Sequence, residues 1–215
     1  MSSIEEVKQS VKLVTITDNA QHVIAYCARV SNPQNQQNLE TEPKLLAYLV
    51  KHKHWSPFEM ASMTLEITTT RAIASQIIRH RSFSFQEFSQ RFARVQQFIM
   101  PYFRTQDAKN KQSSHDTLSA EDQDKWRQNT LDTIIASFQL YNSMVDNGVA
   151  RECARMVLPL CTATTIYMTG TIRSWIHYLQ LRTEWDTQAE HREIAEAAKA
   201  ILLEKCPWLS EILSL

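Results

Sequence analysis

The sequence predicts an α+β fold that is rich in helix and forms a single domain over residues 1–215. Residues 61–68 alternate apolar and polar side chains without a break, which is typical of a strand with one buried face. Residues 121–147 form a long segment that ends at Gly148, which predicts a helix stopped by a left-handed residue. Hydrophobic residues make up 43% of the chain and charged residues 21%, as in ordinary globular proteins.

The first part of the chain is predicted to start with a short strand at 12–17. Asp18 is expected to cap a helix that runs to about Arg29, because its carboxylate can accept an unpaired N–H of the first turn. Pro43 is expected at the first position of a second helix, where a missing N–H costs nothing. The strand at 61–68 follows this helix.

The next segment is predicted to be a helix capped by Thr70. Its packed side is expected to carry Ile73, Ala74, Ile77 and Ile78. Residues 92–98 predict another strand, and 107–120 a polar, mobile segment.

After Gly148, residues 149–158 predict a helix that Pro159 stops. Residues 161–169 are rich in threonine and other β-branched side chains. Two further helices are predicted at 171–181 and 188–205, and Pro207 ends the last one.

Composition excludes several classes of function. Gly148 and Gly170 are the only glycines, so the chain contains no Gly-x-Gly-x-x-Gly turn and no Walker loop. Basic and acidic residues both count 23, which argues against a protein that coats nucleic acid. No apolar run approaches the ~20 residues of a membrane span, and the four cysteines form no Cys-x-x-Cys pair. We therefore expect a cytoplasmic protein with reduced thiols.

Arginines cluster between residues 67 and 106, where there is no lysine and Glu87 is the only acidic residue. The arginines of this cluster are Arg71, Arg79, Arg81, Arg91, Arg94 and Arg104. A planar guanidinium suits bidentate contact with phosphate or carboxylate, so the cluster predicts a site for an anionic ligand. A solvated basic helix end, or partner carboxylates elsewhere in the chain, would be the alternative explanation.

Within the cluster, residues 79–91 offer hydrogen-bond donors almost continuously. The interleaved aromatic side chains are expected to be buried: Phe83, Phe85 and Phe88. The polar side chains between them are expected to face a ligand: Ser84, Gln86 and Ser89. Such a segment could present donors to an anion that carries a flat ring.

Four segments of this sequence resemble a known family. Arg79-His80-Arg81, followed by seven residues and Ser89, matches the pattern by which flavin-dependent thymidylate synthases are identified. Three further segments of this sequence resemble segments of that family in the same order: His54–Glu59, Arg151–Leu160 and Gly170–Arg182. The resemblance covers most of the chain.

The resemblance implies a fold, an assembly and a reaction. The fold would be a small antiparallel sheet packed with helices plus a helical segment, assembled as a homotetramer with ligand sites between subunits. The reaction would convert dUMP to dTMP, with 5,10-methylenetetrahydrofolate as carbon donor and NADPH as reductant through bound FAD. It would involve no covalent enzyme nucleophile and no metal, and neither nucleic acid nor a membrane would be a partner.

The resemblance also implies roles for individual residues. Arg182 would be catalytic, because a guanidinium beside the uracil stabilises negative charge that develops on the ring. The residues expected around dUMP are Gln76, Arg79, Glu87, Ser89, Gln90, Arg91, Arg155 and Arg182. The residues expected to contact FAD are Ser56, Arg79, His80, Arg81, Glu87, Arg173 and His177. If the segments are helical, Gln76 and Arg79 share a face, as do Arg173 and His177.

Three features depart from the family pattern. Many members carry a histidine shortly before a Glu-Ile pair near the end, and here the corresponding stretch is 187–194. Which residue takes the place of that histidine is left open. His177 stands where many relatives have asparagine, and Phe92 where some have tyrosine.

Other functions fit part of the pattern. A metal-dependent hydrolase could use His52, His54 and His80, although arginines beside His80 would repel a dication. A nucleic-acid-binding module could stack bases on the aromatic residues of 79–91. A purely structural helical protein would leave the arginine cluster without an explanation.

Overall fold

A computed structural model describes residues 4–213, apart from the side chains at 211 and 212. The fold is α+β with a small antiparallel sheet, which confirms the predicted class. The strands are β1 (Glu5–Glu6), β2 (Ser10–Ile16), β3 (Ser62–Thr70), β4 (Ser84–Glu87), β5 (Gln97–Phe98), β6 (Thr105–Gln106), β7 (Ser114–His115) and β8 (Ala163–Thr171). The helices are α1 (Ala20–Ala28), α2 (Glu42–Lys51), α3 (Arg71–Ile77), α4 (Ala120–Asp146), α5 (Arg151–Ala154), α6 (Ile172–Arg182), α7 (Ala189–Lys205) and α8 (Ser210–Leu213).

The main sheet has the strand order β2-β3-β8-β4, while β1 pairs with β5 and β6 with β7. The chain divides into two compact units. The first unit contains the residues up to Gln9, Thr68–Ile77 and Glu87–Ile166. The second unit contains Ser10–Ile67, Ile78–Gln86 and the chain from Tyr167 onwards.

The first unit is organised by the long helix α4. Ser119 caps its first turn by accepting the N–H of Asp122 at 3.1 Å, and Gly148 follows its end with a left-handed φ of 85°. Ile134 and Phe138 on this helix pack against Val95 and Phe98 in a buried cluster. The predicted long helix and its glycine stop are both confirmed.

The second unit has a core rich in aromatic side chains. The indole of Trp175 on α6 is fully buried and donates to the carbonyl oxygen of Met63 on β3 at 2.9 Å. Thr171 caps α6 by accepting the N–H of Ser174 at 3.3 Å. A Cβ at Gly170 would lie 2.4 Å from a ring carbon of Phe83, so this position requires glycine for the ring to approach the strand.

Local patterns predicted most helix starts correctly. Pro43 lies in the first turn of α2, and the Thr70 hydroxyl accepts the N–H of Ile73 at 3.2 Å at the start of α3. The prediction for α1 was wrong by one residue, because its N-cap is Asn19 rather than Asp18. Asn19 adopts a left-handed φ of 50° there and makes no side-chain cap bond.

Four other local predictions were wrong. Only Gln97–Phe98 of the stretch 92–98 is a strand, because the carbonyl of Ser89 accepts the N–H groups of Phe92 and Ala93 and turns the chain. The predicted helix at 149–158 is only α5 followed by a 3-10 turn, Arg155–Val157. Helix α3 ends at Ile77, so Ile78 is exposed and Arg79 lies outside the helix. Phe83 is buried as predicted, whereas Phe88 is exposed.

Candidate functional site

The predicted site residues fall in both units. The first unit holds Gln76, Glu87, Ser89, Gln90, Arg91 and Arg155. The second unit holds Ser56, Arg79, His80, Arg81, Arg173, His177 and Arg182.

A cavity of about 300 Å³ in the first unit brings two predicted dUMP residues together. It is lined by Gln90 and Arg155, and also by Arg71, which the sequence did not assign to a ligand. Apolar side chains complete the wall, including those of Leu158 and Leu160. The cavity therefore brings two guanidiniums, one of them paired with Glu87, beside the buried amide of Gln90.

Gln90 is the most informative residue of this cavity. Its side chain is only 6% exposed, and its amide Nε2 has no hydrogen-bond partner among the described residues. A buried donor without an acceptor costs about 1–3 kcal/mol, so such atoms usually await a ligand or a water molecule. Arg155 has no carboxylate partner within residues 4–213. An anion in the cavity would satisfy both groups.

Glu87 holds Arg71 beside the cavity. The Glu87 Oε1 atom accepts hydrogen bonds from the Arg71 guanidinium and, at 3.0 Å, from the Thr164 hydroxyl. Both bonds use the same oxygen, which leaves Oε2 for a further donor. A ligand hydroxyl is one such donor.

Ser89 and Arg91 line a neighbouring cavity of the first unit, of about 400 Å³. Arg91 forms an ion pair with Glu152 at 2.9 Å, and both side chains are more than half exposed. Exposed pairs of this kind are worth about 1 kcal/mol or less, so a phosphate could displace the carboxylate. Arg151 donates to the carbonyl oxygen of Phe92 at 2.6 Å and closes this side of the turn.

The arginine cluster is partly neutralised by the protein's own acids. In the first unit Arg71 pairs with Glu87, Arg91 with Glu152, and Arg94 with Asp146. Partner carboxylates elsewhere in the chain thus explain part of the cluster. Arg79 and Arg81 in the second unit are exposed and have no acidic partner in the described part of the chain.

In the second unit, Arg182 at the end of α6 is bonded to His80. The Arg182 Nε–H donates to His80 Nε2 at 3.0 Å, so that ring nitrogen carries no proton. Burial, and secondly the charge of Arg182, lower the pKa of His80 to about 4. Arg182 has no carboxylate partner within the described residues, so its terminal nitrogens could bind an anionic ligand.

The stretch that departs from the family pattern places a histidine in the core. His191 on α7 is fully buried, and its Nε2 lies 3.0 Å from the hydroxyl oxygen of Tyr178 on α6. Burial, followed by the charges of Arg182 and His80, lowers the pKa of His191 to about 3.

The remaining predicted FAD residues of the second unit have protein partners or lie on its surface. Arg173 pairs with Glu59, and His177 stacks edge-on against Trp55 with ring centroids 5.0 Å apart. Burial and the charge of Arg173 lower the pKa of His177. Ser56 is exposed at the start of the 3-10 turn Ser56–Glu59.

Residues 4–213 contain no group of three or more histidine, cysteine, aspartate or glutamate side chains arranged to hold a metal. No described helix is both long and apolar enough to cross a bilayer.

Sequence reasoning assigned Arg71 and His191 no specific role and did not single out Tyr178. Arg71 was counted in the cluster, but only the fold brings it to the cavity of Gln90. His191 lies on the apolar stripe of α7, three residues before buried Ile194. Its place on that stripe was the available signal, since a polar residue on a core face must find a partner.

Comparison with known proteins gives concordant results. A family model described as "Thymidylate synthase complementing protein" matches residues 12–208. A probable flavin-dependent thymidylate synthase of Paramecium bursaria Chlorella virus 1 is 50% identical over 95% of this chain and 98% of its own length. A flavin-dependent thymidylate synthase of Synechocystis is 49% identical over 89% of this chain and 88% of its own.

The fold is also similar to a solved structure. The UMP/dUMP methylase PolB from Streptomyces cacaoi, bound with 5-Br dUMP, has a TM-score of 0.85 and 26% identity, with 97% of each chain covered. The matched family model spans nearly the whole chain, and the curated relatives agree with it in name. This chain therefore belongs to the thymidylate synthase complementing protein family, the flavin-dependent thymidylate synthases, which are methyl-transferring enzymes.

Proposed function

We propose that this chain converts dUMP to dTMP, with 5,10-methylenetetrahydrofolate as carbon donor and NADPH as reductant through bound FAD. The names of the two curated relatives and the 5-Br dUMP bound to PolB support this proposal. The observation that carries it in this chain is the unpartnered amide of Gln90, which lines a cavity with two arginines.

The cavity of Gln90 and Arg155 is proposed to receive the phosphate of dUMP. A phosphate offers acceptors to the Gln90 amide and negative charge to the Arg155 guanidinium, so it satisfies both at once. Ser89 and Arg91, in the neighbouring cavity, would extend the dUMP site. The Oε2 atom of Glu87 would accept a hydrogen bond from a hydroxyl of dUMP or FAD. Gln76 and Arg79 complete the proposed dUMP set.

Arg182 is proposed to act on the uracil ring. His80 holds its Nε, so the terminal nitrogens would face N3 and O4 and stabilise negative charge as the ring is reduced. No enzyme nucleophile takes part in this scheme. Burial raises the pKa of the Cys161 and Cys206 thiols, which makes both poor nucleophiles at neutral pH.

The second unit provides a donor set that suits FAD. Arg79 and Arg81 are exposed cations without acidic partners among the described residues, as a diphosphate requires. They would hold FAD together with Ser56, His80, Arg173 and His177 of the same unit, and Glu87 of the first unit is the remaining residue of the proposed FAD set. The ion pair of Arg173 with Glu59 is partly exposed on both sides, so Arg173 can exchange its partner for a phosphate. FAD, when bound, supplies the reducing equivalents that NADPH provides.

The proposal includes a homotetramer with ligand sites between subunits, acting in the cytoplasm without nucleic acid or membrane partners. Sedimentation of the purified protein would measure the number of chains. A monomer that still makes dTMP would contradict this part of the proposal.

Turnover is the experiment that tests the function. We expect the wild-type protein with FAD, NADPH and methylenetetrahydrofolate to convert dUMP to dTMP, and Arg182→Ala to lower kcat by at least about 100-fold. The Arg182→Ala variant should keep its visible flavin absorption. Arg127→Ala, which removes an exposed arginine paired with Glu6 on the surface, is the matched control and should keep full activity. Unchanged turnover in Arg182→Ala would contradict the role given to that residue.

A further inference from the structure

A group of four polar side chains in the second unit extends beyond the proposed contacts with dUMP and FAD. Arg182 and Tyr178 lie on α6, one turn apart, while His80 precedes β4 and His191 begins α7. Arg182 is bonded to His80, and Tyr178 to His191, both at 3.0 Å. Neither Tyr178 nor His191 was assigned a role in binding or catalysis.

The bond from Arg182 requires one particular form of His80. The Arg182 guanidinium can only donate, so His80 must accept with a bare Nε2 and carry its proton on Nδ1. The low pKa of His80 keeps the ring neutral near pH 7. The bond also depends on ring orientation, because a flipped imidazole would place carbon where Nε2 now accepts.

Tyr178 and His191 both lie edge-on to the His80 ring. The ring stands nearly perpendicular to both, at 83° to Tyr178 with centroids 4.9 Å apart and at 84° to His191 with centroids 6.1 Å apart. Tyr178 in turn packs edge-on against Phe83 and Trp175, with ring centroids 5.8 and 5.7 Å apart. The wall against which His80 packs is therefore part of the core.

Tyr178 and His191 are polar, although apolar side chains could also pack against His80 at this place. Tyr178 is 2% exposed and His191 is fully buried, so their polar atoms have given up water. An apolar pair of similar volume would fill this space without that cost. The hydrogen bond does, however, fix the relative orientation of the two rings, which apolar packing does less sharply.

We propose that Tyr178 and His191 are positioning residues, whose hydrogen bond holds the His80 ring so that its Nε2 accepts from Arg182 and aims the guanidinium. This inference rests on the proposed action of Arg182 on the uracil ring. Neither residue touches the substrate in this scheme. Both act through His80.

Kinetics of matched variants test the proposal. Tyr178→Phe keeps the ring and removes the hydroxyl, His191→Leu removes the partner, and His191→Gln keeps an amide that can still bond to Tyr178. Tyr141→Phe removes another buried hydroxyl, one that instead accepts the N–H of Val95, and serves as the control. We expect kcat to fall about tenfold in Tyr178→Phe and His191→Leu, with the KM for dUMP nearly unchanged. His191→Gln should recover most of the activity, and the control should lose none.

A spectroscopic measurement separates this inference from the proposed function. The imidazole ¹⁵N shifts of His80 report which nitrogen carries the proton, and they can be recorded on the FAD-bound enzyme without turnover. We expect the Nδ1–H form in wild type, His191→Gln and the control, and a mixture of forms in Tyr178→Phe and His191→Leu. If wild type makes no dTMP but His80 responds in this way, the proposed function fails while the positioning of His80 stands.

Two outcomes would overturn the inference. The first is a His80 tautomer and a kcat that are the same in Tyr178→Phe, His191→Leu and wild type. The second is a loss of kcat that follows the melting temperature across all four variants, the control included. Either result would make the pair a structural part of the core alone.

Discussion

Replacing Gly170 by alanine tests how the segment that carries Arg79 and Arg81 is anchored. The new Cβ would lie 2.4 and 2.6 Å from two ring carbons of Phe83, whereas carbon atoms prefer about 3.5–4.0 Å. Phe83 cannot swing away easily, because it is buried and packs edge-on against Trp175 with ring centroids 4.9 Å apart. The ring must therefore move, and the chain with it.

The expected magnitude follows from two opposing effects. Overpacking of this severity costs about 3 kcal/mol, at the upper end of its usual range. Alanine restricts the unfolded chain more than glycine does, which returns about 0.4–1 kcal/mol. We therefore expect Gly170→Ala to lower the free energy of unfolding by about 2 kcal/mol and Tm by roughly 4–8 °C.

Thermal unfolding and FAD titration are the assays for this change. Adding Phe83→Leu should restore space, so the double variant should be more stable than the sum of the single effects predicts. Gly148→Ala is the control, because its Cβ would meet nothing within 4 Å and only its φ of 85° is strained. Gly148→Ala should lower Tm without weakening FAD binding, whereas Gly170→Ala should do both. An unchanged Tm in Gly170→Ala, or no relief in the double variant, would refute the reasoning.

Three further predictions concern the two units separately. Gln90→Leu should leave the free energy of unfolding unchanged or raise it by about 1 kcal/mol, yet it should raise the KM for dUMP roughly tenfold. Asn142→Leu also removes a buried unpartnered atom and should leave that KM unchanged. Equal effects of the two substitutions on the KM would contradict the phosphate site. Ser89→Ala should weaken dUMP binding in calorimetric titration, and an unaltered affinity would contradict its place in the site. Because the pKa of His191 is about 3 when folded and about 6.5 when unfolded, the unfolded state binds more protons between these values. The free energy of unfolding should therefore rise with pH from about 3 to about 6.5. Denaturation measured across that range should show a smaller rise in His191→Gln than in wild type. The same rise in both proteins would contradict the low pKa.

The predicted helices were right where a repeating pattern and an end signal coincide. Helices α4, α6 and α7 agree with their predictions within about two residues, since Ser119, Thr171 and Pro207 mark their ends. The strand expected at 92–98 failed because pairing depends on a distant partner. Only Gln97 and Phe98 face β1, which lies more than 90 residues earlier.

For the site, residue types were informative and their partners were not. The family resemblance implied that Gln90 and Arg155 lie near dUMP, and both side chains do line one cavity. The ion pairs of Arg91 with Glu152 and Arg94 with Asp146 join residues more than 50 positions apart, which spacing rules cannot foresee. The contact between Tyr178 and His191 was not predicted because both residues occupy core faces of helices, where the pattern predicts apolar packing.

A crystal structure of the protein with dUMP would test the central claim most directly. We predict that the phosphate lies in the cavity of the first unit, with an oxygen within about 3.2 Å of Gln90 Nε2 and a second contact from Arg155. A phosphate bound elsewhere, with the Gln90 amide still without a partner, would contradict the account.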